Sequence, residues 1–300
     1  MNQPDVVCLG ETMVLVTPTE AVPLEDAPLF HLSVGGAEST VAMYLAEAGY
    51  RTSWASALGD DPFATRILRL LSSQGVDTSF VQVNTGAPTG IYFKNPGRES
   101  TQIHYYRSGS AASTMSERFL DTLPLEGARL VHVTGITPAL SSSCNQLVAA
   151  LPGRLRTIGA KLSFDVNYRP GLWPVAEAAP VLLNLASQAD YVFVGRDEAE
   201  LLWGTTTPAS IRDLIGPTGK LVVKDGAVGA TEFSRHGEVF VEAQRVDVVE
   251  VVGAGDAFAA GYLSGQLQNS SARECLRRGH ELAARTLQST SDFVPLLGRP

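Results

Sequence analysis

The chain has 300 residues, 44% hydrophobic and 18% charged, a balance that excludes a collagen repeat, a disordered tail and a coiled coil and describes a globular protein. Its 23 basic and 31 acidic side chains leave a formal net charge of −8. The whole molecule therefore offers no basic field to a nucleic acid or an anionic membrane, and a small molecule is the expected partner.

In chain order, the first residues, MNQPDVVCLGE, carry no basic leader, and no run approaches the roughly 18 apolar residues of a spanning helix. A cytoplasmic location is the expectation. An apolar run at 6–9 reads as a buried strand. Residues 13–33 are rich in β-formers, Pro and turn residues and read as strands of a small inserted sheet. Helical periodicity follows at 39–48 and 62–74, and residues 86–110 repeat the β-rich character with alternation at 90–94 and 101–106. Further strand-like runs at 130–133, 161–165, 191–194 and 221–224 alternate with helical segments at 144–156 and 175–186. Helices at 257–268 and 271–288 close the chain. This succession predicts one α/β domain over 1–300, built on a doubly wound, mostly parallel sheet flanked by helices. The small β-sheet from 13–33 and 86–110 would be a lid over it. Cys8, Cys144 and Cys275 are far apart with no C-x-x-C pair, so they read as buried reduced thiols.

Glycine, at 28 of 300 residues, clusters at three places where chemistry is conceivable. Gly253, Ala254 and Gly255 lead into a small-residue helix whose unblocked backbone N–H groups and dipole suit an anion. Asp256, in that first turn, is either a cap carboxylate or a general base beside a phosphate cradle. Gly226 and Gly229, after the strand that ends at Lys224, form a simple turn or a close approach to a ligand. Gly35 and Gly36, before the first helix, form a tight turn or a bare surface for a ligand. No Walker loop and no G-x-G-x-x-G after the first strand is present, so a P-loop and a dinucleotide-binding dehydrogenase are excluded. A serine hydrolase finds no nucleophile elbow.

Together these residues resemble the ribokinase-like, pfkB-type carbohydrate kinases. The likeness runs through nearly the whole chain. E-V-V-G-A-G-D-A-F at 250–258 is similar to that family's signature D-T-x-G-A-G-D-x-F, with Gly35-Gly36-Ala37 and Gly59-Asp60-Asp61-Pro62-Phe63 in the expected order. Within the family, Y-Y-R-S-G-S-A-A-S at 105–113 and D-V-N-Y-R-P-G-L-W at 165–173 resemble the 2-keto-3-deoxygluconate kinase branch.

The resemblance implies ATP as co-substrate, a sugar acid as acceptor and Asp256 as the base. Gly253, Ala254 and Gly255 would cradle the transferring phosphate. Gly35, Gly36, Ser39, Tyr92, Tyr106, Arg107 and Arg169 would line the sugar pocket, with the two arginines suited to a carboxylate. Lys224, Gly226, Ala227, Gly229 and His280 would flank the nucleotide. Mg²⁺ would travel on the phosphates, with Glu198 nearby through water.

The match has departures. Glu250-Val251 replaces Asp-Thr in a region the family links to monovalent-cation activation, so a K⁺ requirement does not carry over residue for residue. Ser39, Gly195 and His280 stand where Asn is usual. The resemblance also implies a homo-oligomer, a dimer through the lid. Rival readings are a fructokinase or other ketose kinase, and a non-catalytic sugar or nucleotide sensor on the same fold.

Overall fold

A computed structural model describes residues 3–97, 102–217 and 219–296. Residues 98–101, inside the second expected lid segment, lie outside the described residues. In order, the elements are β1 (Val6–Leu9), β2 (Met13–Pro18), β3 (Phe30–Gly35), α1 (Ala37–Glu47), β4 (Thr52–Gly59), α2 (Pro62–Ser73), β5 (Val81–Asn84), β6 (Ile91–Asn95) and β7 (Gln102–Tyr106). After two short 3₁₀ turns come β8 (Leu130–Thr134), α3 (Ile136–Ala139), α4 (Ser142–Ile158), β9 (Lys161–Asp165), α5 (Val175–Ala186), β10 (Tyr191–Gly195), α6 (Arg196–Trp203) and α7 (Pro208–Ile215). β11 (Lys220–Asp225), β12 (Gly229–Ser234), β13 (Gly237–Glu242), α8 (Ala254–Leu267) and α9 (Ala272–Leu287) complete the fold.

The large sheet runs β13-β12-β11-β10-β9-β8-β1-β4-β5, and β5 through β11 are all parallel. The hairpin β12-β13 adds two antiparallel strands at one edge. Each central strand is buried on both faces. In β1, Val7 and Leu9 pack into one apolar cluster and Val6 and Cys8 into the other. Helices α4 to α7 cover the first face, and α1, α2, α8 and α9 cover the second. A continuous Val-rich strand with both faces dry is what a parallel sheet needs.

Local chemistry ends and starts the helices. Asp61 caps α2 by accepting from the Ala64 N–H at 2.8 Å, with Pro62 just inside. Gly159, at φ 77°, closes α4 in the left-handed region. Small residues let α8 lie tight on α9: a Cβ at Gly261 would sit 2.3 Å from the Arg278 carbonyl oxygen.

The second sheet, β3-β2-β6-β7, is separate and is built from the two segments read as the lid. The helical expectations hold to within a few residues at each boundary. Strand β4 is absent from the sequence-based reading, although all eight of its residues are buried. Its sequence, T-S-W-A-S-A-L-G, is small and polar with no β-branched run, and its central position between β1 and β5 decides its state. No helix among the described residues is long and apolar enough to cross a membrane.

Candidate active site

An open cleft of about 1180 Å³ lies where the carboxyl ends of β9, β10 and β11 meet the start of α8, roofed by β6 and β7. Parallel sheets present loops rather than side-chain-filled layers at these ends, which is where ligands bind in doubly wound folds. The volume exceeds what one small sugar needs and suits two substrates side by side.

At its centre, Gly253 caps α8 at φ 82°, a left-handed conformation that admits glycine without strain. A Cβ there would also meet the Asp292 backbone at 2.8 Å. The Ala254 N–H is turned back onto the Val251 carbonyl at 3.3 Å, so of the expected cradle it is not a free donor. The N–H groups of Gly255 and Asp256 follow, and the first turn of a helix has no internal acceptor for them. The Lys224 ammonium packs against this turn, 3.4 Å from where a Gly255 side chain would begin.

Asp256 is half-buried at the floor of the cleft. Burial, and next the Asp165 carboxylate, push it up to about 7, while Arg169 and Lys224 oppose the rise and Asp292 adds to it. It accepts a hydrogen bond from Asn167 Nδ2 at 3.2 Å. Lys224 donates to Asp165 at 2.7 Å. Burial works against the Lys224 charge, but Asp165, Glu198 and Asp256 outweigh it and keep the ammonium protonated. Lys224, expected on the nucleotide side, is therefore grouped with the carboxylates around Asp256.

On the acceptor side, Gly35 and Gly36 line the cleft. A Cβ at Gly35 would overlap the Tyr92 hydroxyl at 1.9 Å and crowd Asp292 at 2.9 Å, so glycine there is what lets the lid come down. Tyr92 and Arg107 face the cleft, but Tyr106 does not. It is 65% exposed, on the opposite face of β7. Tyr105 takes its place, paired across the ladder with Tyr92 and stacked on it at 5.6 Å, with the Arg107 guanidinium 5.4 Å from its ring. Successive strand residues point to opposite faces, so Tyr105 and Arg107 share a side and Tyr106 cannot join them.

Ser39 is also not a lining residue. It is fully buried in the first turn of α1, and its hydroxyl donates to the Gly36 carbonyl at 3.0 Å.

The two arginines differ. Arg107 Nε donates to Glu11 at 2.7 Å, and Ser110 donates to the other Glu11 oxygen at 2.5 Å, so Glu11 already neutralises this guanidinium. Arg169 donates to the Tyr168 carbonyl at 3.2 Å and makes no ion pair among the described residues. It is left for a ligand, as is Arg245, which borders the same cleft at the β13 end and also makes no ion pair among the described residues.

On the nucleotide side, Gly226, Ala227 and Gly229 line the cleft at the β11-β12 turn. Gly229 is also demanded by the hairpin, since a Cβ would sit 2.4 Å from the Val241 carbonyl oxygen. His280 lines the same end, edge-on to Phe258 at 5.1 Å. Its Nε2 lies 3.1 Å from the Val241 carbonyl oxygen, and burial lowers its pKa, so it is a neutral ring with that nitrogen committed as a donor.

Glu198 reaches the cleft, but both its oxygens accept backbone hydrogens, from Tyr168 at 3.0 Å and Gly195 at 2.7 Å. Burial raises its pKa. Among the described residues no group of three or more His, Cys, Asp or Glu could hold a metal ion by itself.

Lining or supporting residues that escaped the sequence reading include Glu11, Tyr105, Asn167 and Asp292. Burial lifts Asp292 to about 6, with Glu250 adding to the rise and Lys94 and Arg169 opposing it. Tyr105, Asn167 and Asp292 border the same cleft as Asp256. Tyr105 was legible from strand alternation with Arg107, and Asn167 from the D-V-N-Y-R run. Nothing local marks Asp292, in the coil after α9.

This chain is 38% identical over 295 residues to a 2-dehydro-3-deoxygluconokinase of Bacillus subtilis, covering 96% of this chain and 91% of that one. It is 37% identical to a 2-dehydro-3-deoxygluconokinase of Thermoproteus tenax, over 86% and 82% of the two chains. The crystal structure of a PfkB protein from Polaromonas superposes with a TM-score of 0.89 at 34% identity, covering 96% and 97%. The pfkB family carbohydrate kinase model matches residues 3–296. With Asp256 and the Gly253 turn at the mouth of a sheet-end cleft, the chain belongs to the pfkB family of carbohydrate kinases.

Proposed function

We propose that this kinase transfers the γ-phosphoryl group of ATP to the terminal hydroxyl of 2-keto-3-deoxygluconate, giving the 6-phosphate. The observation that carries the reading is Arg169, a guanidinium without an ion pair in the cleft that holds Asp256. A neutral ketose gives that charge nothing to bind, whereas a keto-deoxy acid brings a carboxylate of matching geometry. The names of the relatives from B. subtilis and T. tenax support the same acceptor.

In this mechanism the acceptor lies under Tyr92 and Tyr105, with its acid end toward Arg169 and its terminal hydroxyl toward Asp256. As the hydroxyl oxygen bonds to the γ-phosphorus and the bond to the ADP oxygen breaks, the hydroxyl proton passes to Asp256. The Gly255 and Asp256 N–H groups and the α8 dipole meet the growing charge on the phosphoryl oxygens. Mg²⁺ enters on the triphosphate as part of the substrate. Lid strands β6 and β7 exclude water and so protect ATP from hydrolysis.

Three buried free thiols fit a reducing cytoplasm. The exposed Leu29, Phe30 and Tyr106 on the lid fit a homodimer formed through that sheet.

The test is an ATP-coupled assay over keto-deoxy acids and ketohexoses, with and without K⁺. The keto-deoxy acid should have the highest kcat/KM. K⁺ should leave the rate unchanged, because the Lys94 ammonium already meets Glu250 at 3.1 Å. Arg169→Ala should lower kcat/KM for the acid about 10–100-fold, the worth of a charge-assisted hydrogen bond, and change fructose turnover little. A wild-type preference for fructose would overturn the acceptor assignment.

A further inference from the structure

Asn167 is the second residue after β9 and sits at φ 38°, one of two non-glycine residues with positive φ among those described. Such a conformation is strained for an ordinary side chain, and asparagine tolerates it best. The residue is 6% exposed, and three of its polar groups are accounted for unequally. Its backbone N–H donates to Asp165 Oδ1 at 3.3 Å, its Nδ2 donates to Asp256 Oδ1 at 3.2 Å, and its Oδ1 is buried with no partner. The amide has one workable orientation, because turning it over would set its carbonyl against the Asp256 carboxylate. A side chain kept only for folding would have both ends paired. Instead, one end holds the base and the other is left open in a residue that borders the cleft.

We propose that Asn167 is a positioning residue for phosphoryl transfer: its amide fixes the Asp256 carboxylate by occupying Oδ1, leaving Oδ2 to take the acceptor's proton. This rests on Asp256 being the base. The strained backbone aims the amide, and strain of this kind persists where the surroundings fix it for a task. The amide also carries a chemical effect, because a donor to the ionised carboxylate favours the form that can accept a proton. Other charged or titratable groups that face Asp256 are Asp165 at the end of β9, Arg169 in the following loop, Lys224 on β11, Asp292 after α9 and Tyr92 on the lid. None of these provides the hydrogen bond that Asn167 does. The open Oδ1 is completed by a donor on the bound ligand.

The experiment compares Asn167→Gly and Asn167→Asp with wild type in thermal unfolding and in the pH profiles of kcat and kcat/KM. Glycine suits φ 38° without strain, so this variant should keep the wild-type Tm while losing the amide. Its kcat should fall about 10²-fold, the cost of roughly 1 Å of misplacement, and its acid limb should move up by about one pH unit. Asn167→Asp, with a second carboxylate beside the first, should move that limb further in the same direction. A folded glycine variant with wild-type kcat and acid limb would overturn the proposal. So would a loss of kcat and Tm together with the limb unmoved. If the glycine variant does not fold, an Asn167→Asp enzyme with an unshifted limb does so instead. Asp256→Asn, run alongside, separates the two readings. Wild-type turnover there defeats the base assignment itself, while lost turnover beside an unaffected Asn167→Gly defeats only the positioning role.

Discussion

Burial holds Asp256 up to about 7, in the range suited to the general base proposed above. Its protonated form cannot accept a hydrogen, so kcat/KM should fall as pH drops below about 7, on the acid side only. Asp256→Asn should abolish that limb and lower kcat by about 10²–10⁴, with sugar binding nearly intact, as stopped-assay rates and equilibrium binding would read. Turnover near wild type would remove Asp256 from the chemistry. Asp256 and its glycine turn were legible in the sequence as a candidate site because they are contiguous, one motif of nine residues. What was not legible is what surrounds them. Asp165, Asn167, Lys224 and Asp292 reach Asp256 from three different strand ends or coils, and although Asn167 and Lys224 lie in runs the sequence marks, their meeting at Asp256 leaves no local pattern. Glu11 illustrates the same limit. Arg107 reads as a free carboxylate receptor until the chain end of β1 brings Glu11 to it, 96 residues away.

The elements of the fold were legible where hydrophobic period was clean and illegible where packing decided. Strands β1, β10 and β11 declare themselves by Val-rich runs, whereas β4 is a strand because it is wedged between β1 and β5. The lid segments were found by their β-formers, yet the face of β7 was misassigned at Tyr106 because the strand's alternation was not anchored to Arg107. The lid is also tied to the cradle by one ion pair. Lys94 on β6 donates to Glu250, whose other oxygen accepts from the Val251 N–H at 2.9 Å on the way to Gly253. The two ends of this pair are unequally buried, with side chains 6% exposed for Lys94 and 23% for Glu250. Glu250→Gln strands a buried ammonium and should cost about 3 kcal/mol in chemical unfolding, the lower end of the range for a broken buried pair. Lys94→Met leaves a carboxylate that can turn to water and should cost less. Equal losses would mean that the tether carries no buried charge.

Across the whole molecule, the net charge of −8 posed the question of how an acidic protein accepts two anionic substrates. Of the cations expected to line the two pockets, Arg107 is spent on Glu11 and Lys224 on Asp165. Arg169 and Arg245 border the cleft without an ion pair among the described residues, while Asp256 and Asp292 sit in the same cleft with burial holding them up to about 7 and about 6. Near pH 7 protons on these two carboxyls, chiefly on Asp256, would lessen the negative charge of the cleft. An arriving sugar acid stabilises the neutral form of both aspartates, so loading the cleft near pH 7 draws protons out of the buffer. Titration calorimetry of the sugar acid in phosphate and in Tris at pH 7 should give different observed enthalpies, with a slope against buffer ionisation heat corresponding to uptake of a fraction of a proton. A zero slope would mean that both carboxyls keep their ionisation on binding. A kinase whose cleft takes up protons to seat its acceptor, yet needs Asp256 ionised to take the hydroxyl proton during transfer, has its affinity and its turnover set in opposite directions by pH.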